Sequence, residues 1–165
     1  FPEMTVLENV MLVPRRQVGE RFWNNWVRRP TVARQERQVL DRARGVLAFV
    51  GLERLRQEYA KNLSGGQQKL LEIARAMMAD PKLILLDEPG AGVNPTLLGD
   101  IMDKIEELHE RGISFLVIEH NMDLVMALCD PVLVMAQGSL LMQGTPDEVR
   151  NDRTVLEAYL GGVPT

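Results

Sequence analysis

The sequence is poor in cysteine and in long apolar stretches, and each shortage excludes a class of protein. Its one cysteine, Cys129, cannot form a disulfide within the chain, and its place in MALCD predicts a buried thiol on a helix face. The longest apolar run has about six residues, whereas a membrane-spanning helix needs roughly 18. Over 165 residues, 45% apolar content is enough for one substantial core. We therefore expect a soluble protein of the cytoplasm.

Charge is distributed unevenly along the chain. Residues 1–80 carry 14 Lys and Arg against 9 Asp and Glu, while residues 81–165 carry 5 against 14. The basic half contains RRQVGERFWNNWVRRP, in which Trp23 and Trp26 lie between arginine pairs. Such a segment is typical of a surface that binds nucleic acid, membrane headgroups or protein, and equally of a solvated helix face. Because the rest of the chain is acidic, we expect no nucleic-acid partner.

The stretch NLSGGQQK (62–69) predicts the start of a helix. Ser64 and Gln67 have the spacing of a capping box, which makes Ser64 the N-cap. Apolar residues then recur with a helical period: Leu70, Leu71, Ala74, Met77 and Met78. Gly65 and Gly66 leave the first-turn N–H groups uncovered, and such a helix start suits an anion such as phosphate. A tight loop into a core helix explains the same residues without a ligand.

Two carboxylates follow the next apolar run. KLILLD (82–87) has four consecutive apolar residues, which predicts a strand buried on both faces of a parallel sheet. Asp87 and Glu88 stand at its carboxyl end, where open α/β sheets place their ligand sites. One carboxylate of such a pair is suited to hold Mg²⁺ and the other to orient or deprotonate a water. An acidic helix cap with a solvated neighbour is the simpler alternative.

A helix and a second strand come next. Asn94 and Pro95 predict a helix N-cap and first turn. The helix carries an apolar face made of Leu97, Leu98, Ile101, Ile105 and Leu108. ISFLVI (113–118) then reads as a second buried strand, directly followed by Glu119 and His120, and this strand–helix–strand order predicts a parallel crossover. His120 would then share one sheet edge with Asp87 and Glu88, where it could contact a phosphate or a catalytic water.

Taken together, four motifs resemble those of one family. LSGGQ (63–67), LILLDEP (83–89), GAGVNP (90–95) and VIEH (117–120) are similar to the signature motif, Walker B motif, D-loop and switch histidine of ATP-binding cassette (ABC) ATPases. Three segments most resemble the ATPase subunits of branched-chain amino-acid importers: the opening FPEMTVLENV, the AGVNP turn and the ending QGTPDEVRNDRTVLEAYLGG. A related lipopolysaccharide-export ATPase shares the AGVNP turn. The resemblance covers essentially all 165 residues. It implies an α/β fold, the C-terminal portion of an ABC nucleotide-binding domain, with a parallel sheet core and an α-helical subdomain.

The resemblance also implies catalytic roles at the sheet edge. Asp87 would organise Mg²⁺ through water, Glu88 would be the general base, and His120 would hold the γ-phosphate and the attacking water. In the D-loop, Gly92 and Asn94 would couple two ATP sites. Many relatives have aspartate at the position of Asn94, so this chain departs from the family there.

The resemblance further implies partners. Ser64, Gly65, Gly66 and Gln67 would contact ATP bound by a second ATPase subunit in a head-to-tail dimer. The basic segment with Trp23 and Trp26 corresponds to the subdomain that meets the coupling helices of a transmembrane permease. The expected location is therefore peripheral, at the cytoplasmic face of the plasma membrane.

One family motif is missing from the sequence. A P-loop has the pattern G-x-x-x-x-G-K-[ST], but none of the four lysines follows a glycine. We expect the chain to be the C-terminal part of a longer ATPase and to be inactive by itself. An alternative is a non-catalytic fragment that acts only through dimerisation or permease docking. A cassette ATPase of DNA repair or translation is disfavoured, because those relatives usually carry coiled-coil or tandem-domain additions.

The remaining patterns divide the chain in two. Residues 1–80 are expected to form the helical subdomain, with a capping box at Thr5 and Glu8 and an amphipathic helix that ends at Gly51. Residues 81–165 are expected to form the C-terminal part of the ATPase core. There, two short strands flank Gln137-Gly138, and Thr145 with Glu148 caps a terminal helix.

Overall fold

The structure of the protein is a computed structural model that describes residues 1–13 and 29–159. Trp23, Trp26 and most of the basic segment lie outside the described residues, as do the last six positions of the chain. The predicted docking role of that segment therefore stays a prediction.

Helices and short strands alternate through the second half of the chain, whereas the described residues of the first half form helices and turns. In chain order the elements are α1 (Val6–Met11), α2 (Arg29–Phe49), α3 (Gly65–Met77), β1 (Leu83–Asp87), α4 (Pro95–Glu110), β2 (Ser114–Ile118), α5 (Met122–Leu128), β3 (Val132–Ala136), β4 (Ser139–Gly144), α6 (Pro146–Asn151) and α7 (Arg153–Tyr159). Two 3₁₀ turns, Glu53–Leu55 and Ala60–Asn62, connect α2 to α3.

Helix starts follow the predicted caps. Capping boxes are present at the starts of α1, α3 and α6, with the pairs Thr5 and Glu8, Ser64 and Gln67, and Thr145 and Glu148. In the first and last boxes the backbone N–H of the threonine donates to the carboxylate and lowers the pKa of Glu8 and of Glu148. These three predictions are confirmed. A capping box could be predicted because it is built entirely from residues close in sequence.

Residues separate by proximity into two compact units, and the first consists of Phe1–Ile84 and Gly92–Phe115. Within it, α3 packs against α1, α2 and α4. Its largest fully buried side chains come from all of these helices and the following turns: Val6, Val10, Leu47, Leu52, Ile73, Met78, Ile101 and Leu108. The centroid of the Phe49 ring lies 4.6 Å from Lys104 Nζ and 4.6 Å from the Arg111 guanidinium carbon. One ring of α2 is therefore contacted by two cations, one within α4 and one directly after it.

Strands β1 and β2 pair with each other. Ser114 N–H donates to the Lys82 carbonyl at one end and Glu88 N–H donates to the Ile118 carbonyl at the other, both at 2.9 Å. Both strands advance in the same direction between these two bonds, so the predicted parallel pairing is confirmed. The predicted burial on both faces is wrong: Ile84 is 5% exposed, but Leu85 is 67% and Ile118 is 59% exposed. Successive side chains point to opposite faces, and the described residues cover only one of them.

The second unit consists of Leu85–Ala91 and the described residues from Leu116 onward. The hairpin of β3 and β4 turns at Gln137 and Gly138, as predicted, and both have positive φ (48° and 78°), as a two-residue type I′ turn requires. Val132, Val149 and Val155 form the buried cluster beneath it. The division of the chain at residue 80 stays a prediction.

Candidate functional site

The start of α3 presents a capped but open helix end. Ser64 N–H donates to Gln67 Oε1 at 3.0 Å, and Gln67 N–H donates to Ser64 Oγ at 3.4 Å. Ser64 and Gly65 are exposed. Within the described part of the chain, no group accepts a hydrogen bond from the amides of Gly65 or Gly66. Gly66 is buried. The exposed residues Gly65 and Ser64 therefore offer one backbone donor and one hydroxyl proton to an anion at the positive end of the helix.

The predicted D-loop turn packs directly on this helix start. A Cβ at Gly65 would lie 3.4 Å from the Gly92 carbonyl oxygen, and a Cβ at Gly66 only 2.2 Å from Leu97 Cδ2. Gly92 has φ 69°, which glycine adopts without strain. Asn94 Oδ1 accepts from Leu97 N–H at 3.0 Å, so its side chain caps α4 as predicted. The structure thus brings the signature residues and the D-loop residues together within one chain.

The two predicted carboxylates stand at the carboxyl end of β1. Both Asp87 and Glu88 are exposed. Glu88 has φ 45°, a left-handed conformation that costs a non-glycine residue about 1–3 kcal/mol. Hydrogen bonds hold it there: Glu88 N–H donates to the Ile118 carbonyl, and the Glu88 carbonyl accepts from Ala91 N–H at 3.1 Å. This kink turns Glu88 out of the strand direction immediately after Asp87.

Glu88 and His120 are neighbours, as the predicted crossover requires. His120 Nδ1 lies 3.3 Å from Glu88 Oε1, and both side chains are more than half exposed. A carboxylate and an imidazole at this distance can share a proton or hold one water between them and a substrate oxygen. Parallel pairing places the ends of β1 and β2 together, which is why two residues 32 positions apart meet.

Sequence reasoning missed Glu119. Its side chain is 1% exposed, and its carboxylate accepts from Gly90 N–H at 2.7 Å, from His120 N–H at 3.1 Å and from Asn121 N–H at 3.3 Å. The only sequence signal is an acidic residue between an apolar strand and a histidine, which does not reveal three backbone donors. Together with burial, the Glu119 carboxylate also raises the pKa of the Cys129 thiol, burial being the larger cause.

The described residues at this sheet edge fit a magnesium ion that takes most of its ligands from water and phosphate oxygens. Among residues 1–13 and 29–159, no group of three or more acidic, histidine or cysteine side chains is arranged to hold a metal. Mg²⁺ in phosphate sites commonly takes one or two carboxylates and fills its remaining positions with water and phosphate oxygens. Asp87, an exposed carboxylate at the strand end, can hold such an ion through one of these waters.

No helix in the described ranges combines the length and the apolar character needed to cross a bilayer. The longest helix, α2, spans 21 residues and carries several arginines.

Comparison with known proteins agrees with this arrangement. Residues 1–91 match the family model described as ABC transporter, and residues 139–164 match the model described as branched-chain amino acid ATP-binding cassette transporter. A probable branched-chain amino acid transport ATP-binding protein, LivG of Archaeoglobus fulgidus, is 43% identical over 163 residues, which cover 96% of this chain and 61% of that protein. The high-affinity LivG protein of Escherichia coli K12 is 39% identical over 162 residues, covering 98% and 64%.

Solved structures give the same result. The ADP conformation of MJ1267, an ATP-binding cassette of an ABC transporter, superposes with a TM-score of 0.78 at 38% identity and covers 97% of this chain and 64% of that one. A nucleotide-free ATP-binding cassette from an ABC transporter also gives 0.78, at 37% identity, covering 96% and 63%. The chain thus spans a little under two thirds of the length of these relatives. The family model matches more than half of the chain, and the glycines at the helix start and the kinked Glu88 beside His120 agree with it. The chain therefore belongs to the ABC transporter family.

Proposed function

We propose that this chain is part of the ATP-hydrolysing subunit of an importer for branched-chain amino acids. The observation that carries the ATPase part is the contact between Glu88 and His120, 3.3 Å apart at the end of two parallel strands. The substrate class is supported by relatives whose names specify branched-chain amino acid transport and by the matching family model over residues 139–164.

In this proposal the sheet edge carries the chemistry. Glu88 accepts a proton from the attacking water as general base, and His120 orients that water and contacts the γ-phosphate. Asp87 would hold Mg²⁺ through water, and the ion when bound would neutralise phosphate charge. The left-handed backbone at Glu88 supports this assignment, since strained φ values in non-glycine residues cluster at functional sites.

The start of α3 serves a different ATP molecule. Ser64, Gly65, Gly66 and Gln67 contact the γ-phosphate of ATP held by a second ATPase subunit. The amide of the exposed Gly65 and the hydroxyl proton of Ser64 support this assignment as donors. The Gly92 carbonyl oxygen lies 3.4 Å from the place that a Cβ of Gly65 would occupy. At this proximity, a movement of the turn that contains Gly92 and Asn94 is transmitted to the helix start, which couples the two sites. A transmembrane permease completes the assembly and holds the subunit at the cytoplasmic face of the membrane.

The P-loop is supplied by residues outside these 165, because none of them has its sequence pattern. The isolated chain is then expected to show no saturable binding of a fluorescent ATP analogue in the presence of Mg²⁺. Binding should appear in a longer chain that carries a P-loop segment ahead of these residues. Saturable binding and turnover by the 165 residues alone would contradict this part of the proposal. If the longer chain binds ATP without hydrolysing it even beside its permease, a docking or dimerising role is favoured instead.

Glu88→Gln in the longer chain tests the catalytic assignment. General-base catalysis contributes roughly 10²- to 10⁴-fold, so turnover should fall by at least about 100-fold while nucleotide affinity is retained. Glu110→Gln provides a matched control. Glu110 is exposed at the end of α4, and its substitution removes the same charge away from the site. Hydrolysis by Glu88→Gln at the rate of the Glu110→Gln control would remove Glu88 from its role.

A further inference from the structure

Glu119 is a buried carboxylate satisfied by backbone amides. With 1% of its side chain exposed, it belongs to a class of residue that is almost never buried without partners. Its partners are three N–H groups: Oε1 accepts from Gly90, and Oε2 accepts from His120 and Asn121. Hydrogen bonds to an ionised acceptor are roughly twice as strong as neutral ones, so these contacts are suited to fix backbone geometry.

The three bonds join two segments that carry the candidate catalytic pair. Gly90 is the second residue after Glu88, and His120 directly follows Glu119. Asn121 continues the chain of contacts, since its side chain caps α5 by accepting from Asp123 and Leu124. One side chain therefore anchors the turn after β1, the loop after β2 and, through Asn121, the helix that follows.

We propose that Glu119 is a positioning residue, whose buried carboxylate sets the separation of Glu88 and His120 by tying the Gly90 turn to the loop after β2. Its effect on hydrolysis rests on the proposed function, but its effect on backbone geometry does not. Glu119 itself is shielded from solvent, and it acts through the backbone of its neighbours and through its own carboxylate, whose Oε2 lies 4.0 Å from His120 Nδ1.

A carboxylate is required because all three partners are donors. Glutamine has one acceptor oxygen and would turn an NH₂ group toward at least one backbone N–H. That N–H would lose its bond in a buried place, where an unsatisfied donor is costly. Aspartate keeps the charge but is one methylene shorter. It should still reach the adjacent amides of its own loop, but not Gly90 on the neighbouring segment.

Amide hydrogen exchange in the 165-residue chain tests the geometric part, with NMR as the readout. In Glu119→Gln, exchange should accelerate by about ten-fold or more at Gly90, His120 or Asn121, as expected for loss of a hydrogen bond to a charged group. In Glu119→Asp the acceleration should be confined to Gly90, and in the control Glu110→Gln none of the three should change. Unchanged exchange at Gly90 in both Glu119 variants would overturn the proposal. If Glu119→Gln does not fold, the aspartate variant alone decides.

A double-mutant cycle in the longer, hydrolysing chain tests the functional part. Glu119→Gln should lower kcat by about ten-fold or more with the KM for ATP little changed. In a Glu88→Gln background the same change should have no further effect, because there is no longer a general base to position. If Glu119→Gln lowers kcat by the same factor in both backgrounds, the loss reflects only a smaller folded fraction, and the positioning role of Glu119 is refuted. If Glu88→Gln itself leaves hydrolysis intact, the proposed function fails, while the exchange measurement still reports on Glu119.

Discussion

The start of α3 leaves no room for a side chain at Gly66, and Gly66→Ala should therefore destabilise the protein. A Cβ at this position would lie 2.2 Å from Leu97 Cδ2, 2.7 Å from Leu97 Cγ and 3.0 Å from Val93 Cγ1. Real side chains do not tolerate the two shorter distances, so Leu97 must change its rotamer or α3 must move away from α4. Either adjustment disturbs the contact between the predicted signature and D-loop residues.

The magnitude follows from two opposing effects. Overpacking costs about 1–3 kcal/mol, with the lower part of that range expected here because Leu97 and Val93 are only partly buried. Alanine is favoured over glycine within a helix by about 1 kcal/mol. Gly45 separates these effects, because it is exposed in α2 and a Cβ there would meet nothing within 4 Å. Gly45→Ala should raise the free energy of unfolding by roughly 0.5–1 kcal/mol. The difference between the two variants then isolates the packing cost, about 1–3 kcal/mol.

Urea unfolding of the 165-residue chain, followed by far-UV circular dichroism, measures both variants against the unchanged protein. A second background, Leu97→Ala, removes Cγ and Cδ2 and so removes the two closest contacts. In that background Gly66→Ala should cost clearly less than it does beside Leu97, which a double-mutant cycle reports as a coupling energy. If Gly66→Ala is as stable as Gly45→Ala, the inferred close packing of α3 on Leu97 is wrong.

Three further predictions concern the turn, the thiol and the acidic caps. Gln137→Asn should raise the unfolding free energy by several tenths of a kcal/mol, because asparagine accepts positive φ more readily than glutamine; an unchanged urea midpoint would count against it. Alkylation of Cys129 by iodoacetamide should be slower than that of a free thiol and half-maximal at a higher pH, and Glu119→Gln should shift that pH downward by removing a nearby negative charge. Glu8 and Glu148 have lowered pKa values in the folded protein, so their stabilisation is present above pH 4.5 and is lost as the pH falls through the lowered values. A Glu8→Gln variant should therefore lose less stability on acidification than the unchanged chain, and equal losses would refute this.

Local features of the fold could be predicted because their partners are close in sequence. A capping box needs only the residues from the N-cap to the third helical position, and the helix starts at Ser64 and Thr145 follow from it. The turn at Gln137-Gly138 is equally local. Parallel pairing of β1 with β2 also followed from the order of elements, since a strand, a helix and a strand of these lengths leave one common crossover.

Burial of the strands could not be predicted in the same way. A run such as LILL is compatible with a strand covered on one face or on two, because the run itself does not reveal how many layers pack against it. The described residues cover the side of β1 that carries Ile84 and leave Leu85 exposed.

The sequence by itself determined where α1, α3, α4 and α6 begin, which carboxylates and which histidine end the strands, and which family the motifs resemble. Only the tertiary structure decided how these residues meet. Ile118 accepts the N–H of the kinked Glu88, Leu97 lies against the position of Gly66, and Gly90 donates to Glu119 from 29 positions away. Each of these contacts joins residues that are distant along the chain. Such contacts are set by packing and by the need to satisfy buried polar groups, and neither leaves a pattern within a short stretch of sequence.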